Sequence, residues 1–115
     1  MTTQEPAERI ALLQGTLDLL ILKTVARGGR QHGYAIAQRI HLVTNDTLRI
    51  EEGSLYPALQ RMTATKWLRA EWGTTETGRK ARFYTLTPAG RRQLAEEEQR
   101  WDRLTEAVNR ALRFA

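Results

Sequence analysis

The chain has 115 residues, the size of one domain built on a single hydrophobic core. Its 41% hydrophobic and 27% charged residues exclude a disordered or fibrous protein, and the absence of cysteine excludes disulfides, thiolate metal sites and cysteine nucleophiles. Eighteen Lys plus Arg against thirteen Asp plus Glu give a formal charge of +5, which suits a polyanionic partner.

The opening MTTQEPAER lacks the basic start and apolar core of a signal peptide, and residues 1–6 read as a flexible lead. The most apolar stretch, LDLLILKTV, is interrupted by Asp18 and Lys23 and is far too short to span a membrane. A soluble, cytoplasmic protein is expected. From about Ala7 to Arg27, Ile10, Leu13, Leu17, Leu20, Ile21 and Val25 recur at helical spacing, and Gly28 and Gly29 end the run. Leu12, Leu19 and Leu22 lie off that stripe, so this first helix needs cover on more than one side, which a small domain alone supplies with difficulty.

A second helix is predicted from about His32 to Leu42, burying Ile36, Ala37 and Ile40 and giving way to the polar Thr44–Asp46 stretch. Leu48 and Ile50 fall in a short extended connection. The third helix carries Pro57, which loses little in an opening turn because the N–H groups there have no intrahelical acceptor. Ser54, or Gly53 before it, is the expected cap. Leu55, Leu59 and Met62 form its buried stripe, leaving Tyr56, Gln60 and Thr63 on another face.

After Lys66 the period changes from helical to alternating. Leu68, Ala70 and Trp72, then Arg82, Tyr84 and Leu86, predict two strands flanking GTTETGRKA as a hairpin whose loop carries Arg79 and Lys80. Thr87 as N-cap and Pro88 at the first position open a last helix running to about Leu112. Leu94, Trp101 and Val108 lie seven apart and, with Leu104 and Leu112, make a coiled-coil-like seam that Glu97 interrupts. Glu96 to Glu98 read as a solvated face.

Three helices followed by a basic two-stranded hairpin is the order of a winged helix-turn-helix, so the fold class expected is mainly α with a small β-hairpin and an added C-terminal helix. Residues 7–87 would form the DNA-binding domain and residues 88–115 the C-terminal helix. The motifs LLQGTLDLLIL, HGYAIAQRI, EEGSLYPALQRM and EWGTTETGRKARFYTLTPAGRRQL stand in order over about nine tenths of the chain. Together they resemble the PadR family of bacterial transcriptional regulators, in its compact subgroup with a single C-terminal helix.

That resemblance implies a ligand-responsive homodimeric repressor on a pseudo-palindromic operator, with the C-terminal helix serving dimerisation. It assigns Ser54, Tyr56 and Pro57 to the opening of the reading helix, Gln60 and Arg61 to its next turn, Tyr34 to the phosphate backbone, and Arg79, Lys80 and Arg82 to the basic wing. Hydroxyls, Gln amides and Arg guanidinium groups can bond phosphates or base edges. The expected dimer interface holds Leu13, Leu17, Leu20, Leu94, Trp101, Leu104, Val108 and Leu112, across which the first and last helices bury each other. Trp101 also matches a position where multidrug-responsive relatives stack planar compounds, so it is expected as a packing anchor, as the platform of a small aromatic effector, or as both in one dimer.

Tyr34 and Tyr56 could sit half-buried with wet hydroxyls, and the wing could be charged for solubility alone. His32 and His41, nine positions apart, are poorly spaced for a metal; His32 is expected to start a helix and His41 to lie at the surface. No cofactor or metal is expected. A winged helix used only to bind protein is the main alternative, since fold does not fix function, but it would want an apolar third helix and a neutral wing. No nucleophile or paired-carboxylate constellation supports an enzyme.

Overall fold

In a computed structural model, described for residues 10–11 and 14–115, nine elements follow one another. They are β1 (Ile10–Ala11), α1 (Gln14–Gly28), β2 (Gln31–His32), α2 (Gly33–Val43), β3 (Leu48–Arg49), α3 (Glu52–Ala64), β4 (Leu68–Thr74), β5 (Lys80–Leu86) and α4 (Pro88–Phe114). The expected class, mainly helical with a small sheet, is the observed one. The flexible lead expected at residues 1–6, together with Leu12 and Leu13, lies outside the described residues.

The first helix begins at Gln14 rather than near Ala7, because Ile10 and Ala11 form a strand parallel to Leu48 and Arg49. At its other end Gly29 takes φ +75°, a conformation without steric cost only for glycine, and its N–H bonds the carbonyl of Val25 at 2.9 Å. Leu17, Ile21, Leu22 and Val25 are buried along α1, so Leu22 belongs to the core and not to a face left over. The protomer itself covers α1 widely, because α2, α3, α4 and β5 all pack against it. A helix apolar over most of its circumference is what a central position requires.

The His32 ring caps α2, its Nδ1 accepting the N–H of Ala35 at 3.3 Å, and the chain leaves that helix through Asn45 and Asp46 at positive φ, which these side chains tolerate. His41 is half-buried and not a surface residue: its Nε2 accepts the Ile50 N–H at 3.0 Å and so holds the approach to α3. The third helix starts a turn earlier than expected. Glu51, without a side-chain capping bond, is its cap, and Ser54 and Leu55 both donate backbone N–H groups to the Glu51 carbonyl. Neither Gly53 nor Ser54 is therefore the cap, and Pro57 lies inside the helix, in its second turn. The carbonyl that loses its donor, that of Gly53, is on an exposed residue where solvent can reach it, which limits the cost of the proline.

The sheet has three strands in the order β2-β5-β4. The two-residue β2 pairs antiparallel with β5, Gln31 with Tyr84 and His32 with Phe83, while the hairpin pairs Leu68 with Leu86, Ala70 with Tyr84 and Trp72 with Arg82. The hairpin turn closes through Thr75, whose Oγ1 accepts the Arg79 N–H at 3.0 Å. One apolar core joins Leu17, Ile21, Leu22 and Val25 of α1 to Ile36 and Ile40 of α2, Leu55, Leu59 and Met62 of α3, and Leu68, Tyr84 and Leu94.

Thr87 caps α4 as expected, its Oγ1 accepting the Gly90 N–H at 2.9 Å, and Pro88 is in the first turn. Gly90 is the most closely packed of the glycines: a Cβ there would stand 2.1 Å from the Trp67 carbonyl oxygen and 2.8 Å from Leu86 Cδ1. The Gly90→Ala protein is expected to lose about 1 to 3 kcal/mol of stability in urea, because the obstacle is backbone that also accepts the Thr87 N–H. An unchanged denaturation midpoint would show that α4 can rise off Trp67 and β5 without penalty. Beyond Leu94 the 27-residue α4 buries no further side chain.

Candidate nucleic-acid interface

The buried stripe of α3, Leu55, Ala58, Leu59 and Met62, faces the core, and this fixes what the rest of the helix shows to solvent. Ser54, Tyr56, Pro57 and Gln60 are all exposed. They offer a hydroxyl, a phenol, a rigid ring and an amide on one helix. Gly33 at the start of α2 lies under the Tyr56 ring, where a Cβ would come within 2.9 Å of Tyr56 Cε1. Tyr56 therefore packs one edge on α2 while its remainder stays exposed, and Tyr34, the next residue after Gly33, is exposed as well.

Arg61 differs from the expectation. Its guanidinium grips Asp18 of α1 through both oxygens, Nη2 to Oδ1 at 2.8 Å and Nη1 to Oδ2 at 3.3 Å, a contact within the chain. Burial pushes the Asp18 carboxyl above the ordinary aspartate range; Arg61 counters this in part, and Glu97 of α4 adds to the rise. The sequence gives no local sign of this pair, because the partners stand 43 residues apart.

On the wing, Arg79, Lys80 and Arg82 are exposed. Trp72 stands opposite Arg82 and is 62% exposed, with the Lys80 ammonium 5.8 Å and the Arg82 guanidinium 5.6 Å from its ring centre. Trp72 is expected from the sequence only as a strand residue; its register opposite Arg82 is the signal that places it beside the wing cations. At the root of the wing Arg30 stacks over Phe83 at 4.0 Å. Burial raises the Tyr84 hydroxyl above its ordinary pKa, an effect that Arg82 offsets and Tyr56 reinforces.

The residues expected at a dimer interface separate into two groups. Leu17 and Leu94, at 3% and 6% exposure, are core residues of the protomer and are not available to a partner, because α1 and the first turns of α4 pack on each other. Leu20 is half-buried against the core, and Leu13 lies outside the described residues. Trp101, Leu104, Val108 and Leu112 are all exposed on the free part of α4, and Phe114 extends them. The acidic run before them is not simply solvated: Glu97 accepts from Gln93 Nε2 at 2.7 Å and pairs with Arg100 at 3.1 Å, and Glu98 pairs with Lys23 at 2.8 Å.

Exposed hydrogen-bonding groups on a helix, a basic hairpin beside an exposed aromatic ring, and a long amphipathic helix with its apolar residues uncovered are the parts a DNA-reading winged helix needs. A family model described as the transcriptional regulator PadR-like family matches residues 21–96. An uncharacterized protein of Lysinibacillus sphaericus is 31% identical over 101 residues, which make up 88% of this chain and 92% of that protein. A transcriptional regulator from Clostridium thermocellum has a similar structure, with a TM-score of 0.77 at 26% identity over 84% of this chain and 93% of that chain. A PadR-like transcriptional regulator from Bacillus cereus gives a TM-score of 0.73 at 28% identity, covering 90% of this chain and 97% of that chain.

Proposed function

Because this chain belongs to the PadR-like family of transcriptional regulators, we propose that it acts as a ligand-responsive homodimeric repressor on a pseudo-palindromic operator. As a family member it is a DNA-binding regulator and not an enzyme. Among the described residues no helix is long and apolar enough to cross a membrane, and the proposed site of action is the cytoplasm. In this reading residues 7–87 read DNA and residues 88–115 pair the subunits.

The observation that carries the reading is the division of α3 into a buried apolar stripe and an exposed face with Ser54, Tyr56, Pro57 and Gln60. A helix presented in this way enters a major groove, where the Gln60 amide can bond an adenine through two hydrogen bonds. Tyr34 and the wing cations would meet phosphates, with the Trp72 ring near enough to both Lys80 and Arg82 to restrain them by cation–π attraction. A helix serving only to bind protein would show an apolar face here instead.

Two variants test this division of labour. Replacing Arg79 and Lys80 together with Ala weakens binding to a preferred and a random duplex almost equally and lowers the salt slope by about one to two per subunit. A double variant that lost only its preferred site and kept its salt slope would move the wing off the backbone. Gln60→Ala, by contrast, keeps the melting temperature and loses about 1 to 3 kcal/mol of preference for its operator, because an exposed side chain leaves no cavity. Unchanged discrimination in that variant would place Gln60 outside the interface.

A further inference from the structure

The pair between Asp18 and Arg61 is the only ion pair among the described residues that ties α3 to another helix. The apolar stripe of α3 sets which face of the helix is buried, but burial and dispersion carry little directional preference of their own and do not by themselves hold the rotation about the helix axis to within a few degrees. A two-pronged contact between a planar guanidinium and a carboxylate fixes both distance and angle. Its carboxylate side chain is 15% exposed, which shields the pair from the screening that weakens surface bridges.

We propose that Asp18 is a positioning residue for DNA recognition: by gripping Arg61 it sets the rotation of α3, and with it the aim of the neighbouring Gln60. The inference rests on the DNA-binding reading above. With side chains reaching about 5 to 6 Å from a helix axis, a rotation of about 20° moves Gln60 by about 2 Å. A recognition contact tolerates about 0.5 Å. Loss of the grip therefore matters at Gln60 even when α3 remains folded and packed.

The surroundings keep Arg61 where it is. Glu97 of α4 adds like charge near Asp18, and burial already works against the ionised Asp18 carboxyl, so an Arg61 that swung out to a phosphate would strand a carboxylate in a place hostile to it. Glu97 does not compete for Arg61, since its own carboxylate receives Gln93 and Arg100. The contact thus joins α1 and α3, while α4 supplies the like charge that disfavours its release.

The test uses the full-length protein, a labelled duplex enriched by the wild type from a random-sequence pool, and a random duplex of the same length. Asp18→Asn, Arg61→Gln, Arg61→Lys and the Asp18→Asn/Arg61→Gln pair are compared with Leu22→Ala, a core variant of α1 that reports destabilisation alone. All are measured at a temperature where circular dichroism shows each protein folded. Each variant of the pair is expected to lose about tenfold of its preference for the enriched duplex, within the range of one bidentate base contact, and the double variant to lose no more than the worse single one. Arg61→Lys should fail too, because it keeps the charge and not the fork. The salt slope on random DNA should stay at the wild-type value throughout, and Leu22→Ala should keep its preference. A reduced slope in Arg61→Gln alone, or full affinity in Arg61→Lys, would assign Arg61 to a phosphate and overturn the proposal. So would Asp18→Asn losing melting temperature but no preference. A wild type that enriches no duplex at all would remove the DNA-binding reading itself, a separate result from either of these.

Discussion

The Trp101→Ala protein is expected to dissociate into monomers at concentrations where the proposed wild-type dimer persists, with a loss of about 3 to 5 kcal/mol of dimer stability, the cost of deleting an indole from packed surroundings. Trp101 is 42% exposed in the protomer and begins an apolar series that continues through Leu104 and Val108 to Leu112, which is 81% exposed. Side chains of that size on one helix, exposed and uncovered among the described residues, form a patch that a second copy can bury along the same helix. Operator binding should fall with the dimer, because two half-sites about 34 Å apart need two tethered reading helices. Sedimentation equilibrium on wild type and variant checks the first part. A wild type that sediments as a monomer, or an Ala variant that remains an equally tight dimer, would end the proposal of a Trp101-centred interface. If the two copies leave a gap there, planar aromatic compounds quench Trp101 in a protein whose Trp67 and Trp72 have been replaced, and they shift operator affinity by favouring one subunit spacing. Quenching with no change in DNA affinity would mean a binding site without a switch.

The Leu59→Ala protein loses about 2 to 5 kcal/mol of folding stability, a large share of the about 5 to 15 kcal/mol that holds a domain of this kind together. Leu59 has no exposure to solvent and sits where α3 crosses α2: a Cβ on Gly33 would lie 3.2 Å from Leu59 Cδ1. Neighbouring helices cannot close the resulting cavity easily, because Tyr56 already props the same crossing. Urea denaturation followed by circular dichroism measures the loss. The adjacent Gln60→Ala serves as the contrast, with the same helix and one position of displacement but the opposite partition between stability and recognition. A Leu59→Ala midpoint within experimental error of wild type would mean that the α2–α3 crossing is loose, and the aim of the reading helix would then rest on the Asp18–Arg61 contact far more than on packing.

Much of this arrangement was legible in the residues because its determinants are local. Helical spacing identified α2 and the buried stripe of α3, alternation identified the hairpin, and Thr87, Pro88 and Gly29 marked helix ends through hydrogen bonds that reach no further than four residues. The polar residues Ser54, Tyr56 and Gln60 had to be exposed once Leu55, Leu59 and Met62 were placed inside, since a helix cannot turn both faces to one core. Tertiary structure decided the rest. A two-residue strand such as β2 carries no period to detect and exists because β5 offers it an edge. Pro57 sits in the second turn of α3 because His41 and the short β3 deliver the chain to Glu51, a constraint made between distant segments. Arg61 looked like one more basic residue on a reading helix until Asp18 was found against it, and no spacing rule connects positions that meet only when α1 and α3 pack. The heptad stripe from Leu94 to Leu112 reads as one surface in sequence, yet its first member is buried in the protomer and the others stand free, because α4 is longer than the body it packs on. Sequence periodicity determines which face of a helix is apolar; how far along the helix that face meets its own core, and where it is left for a partner, depends on the dimensions of the folded domain.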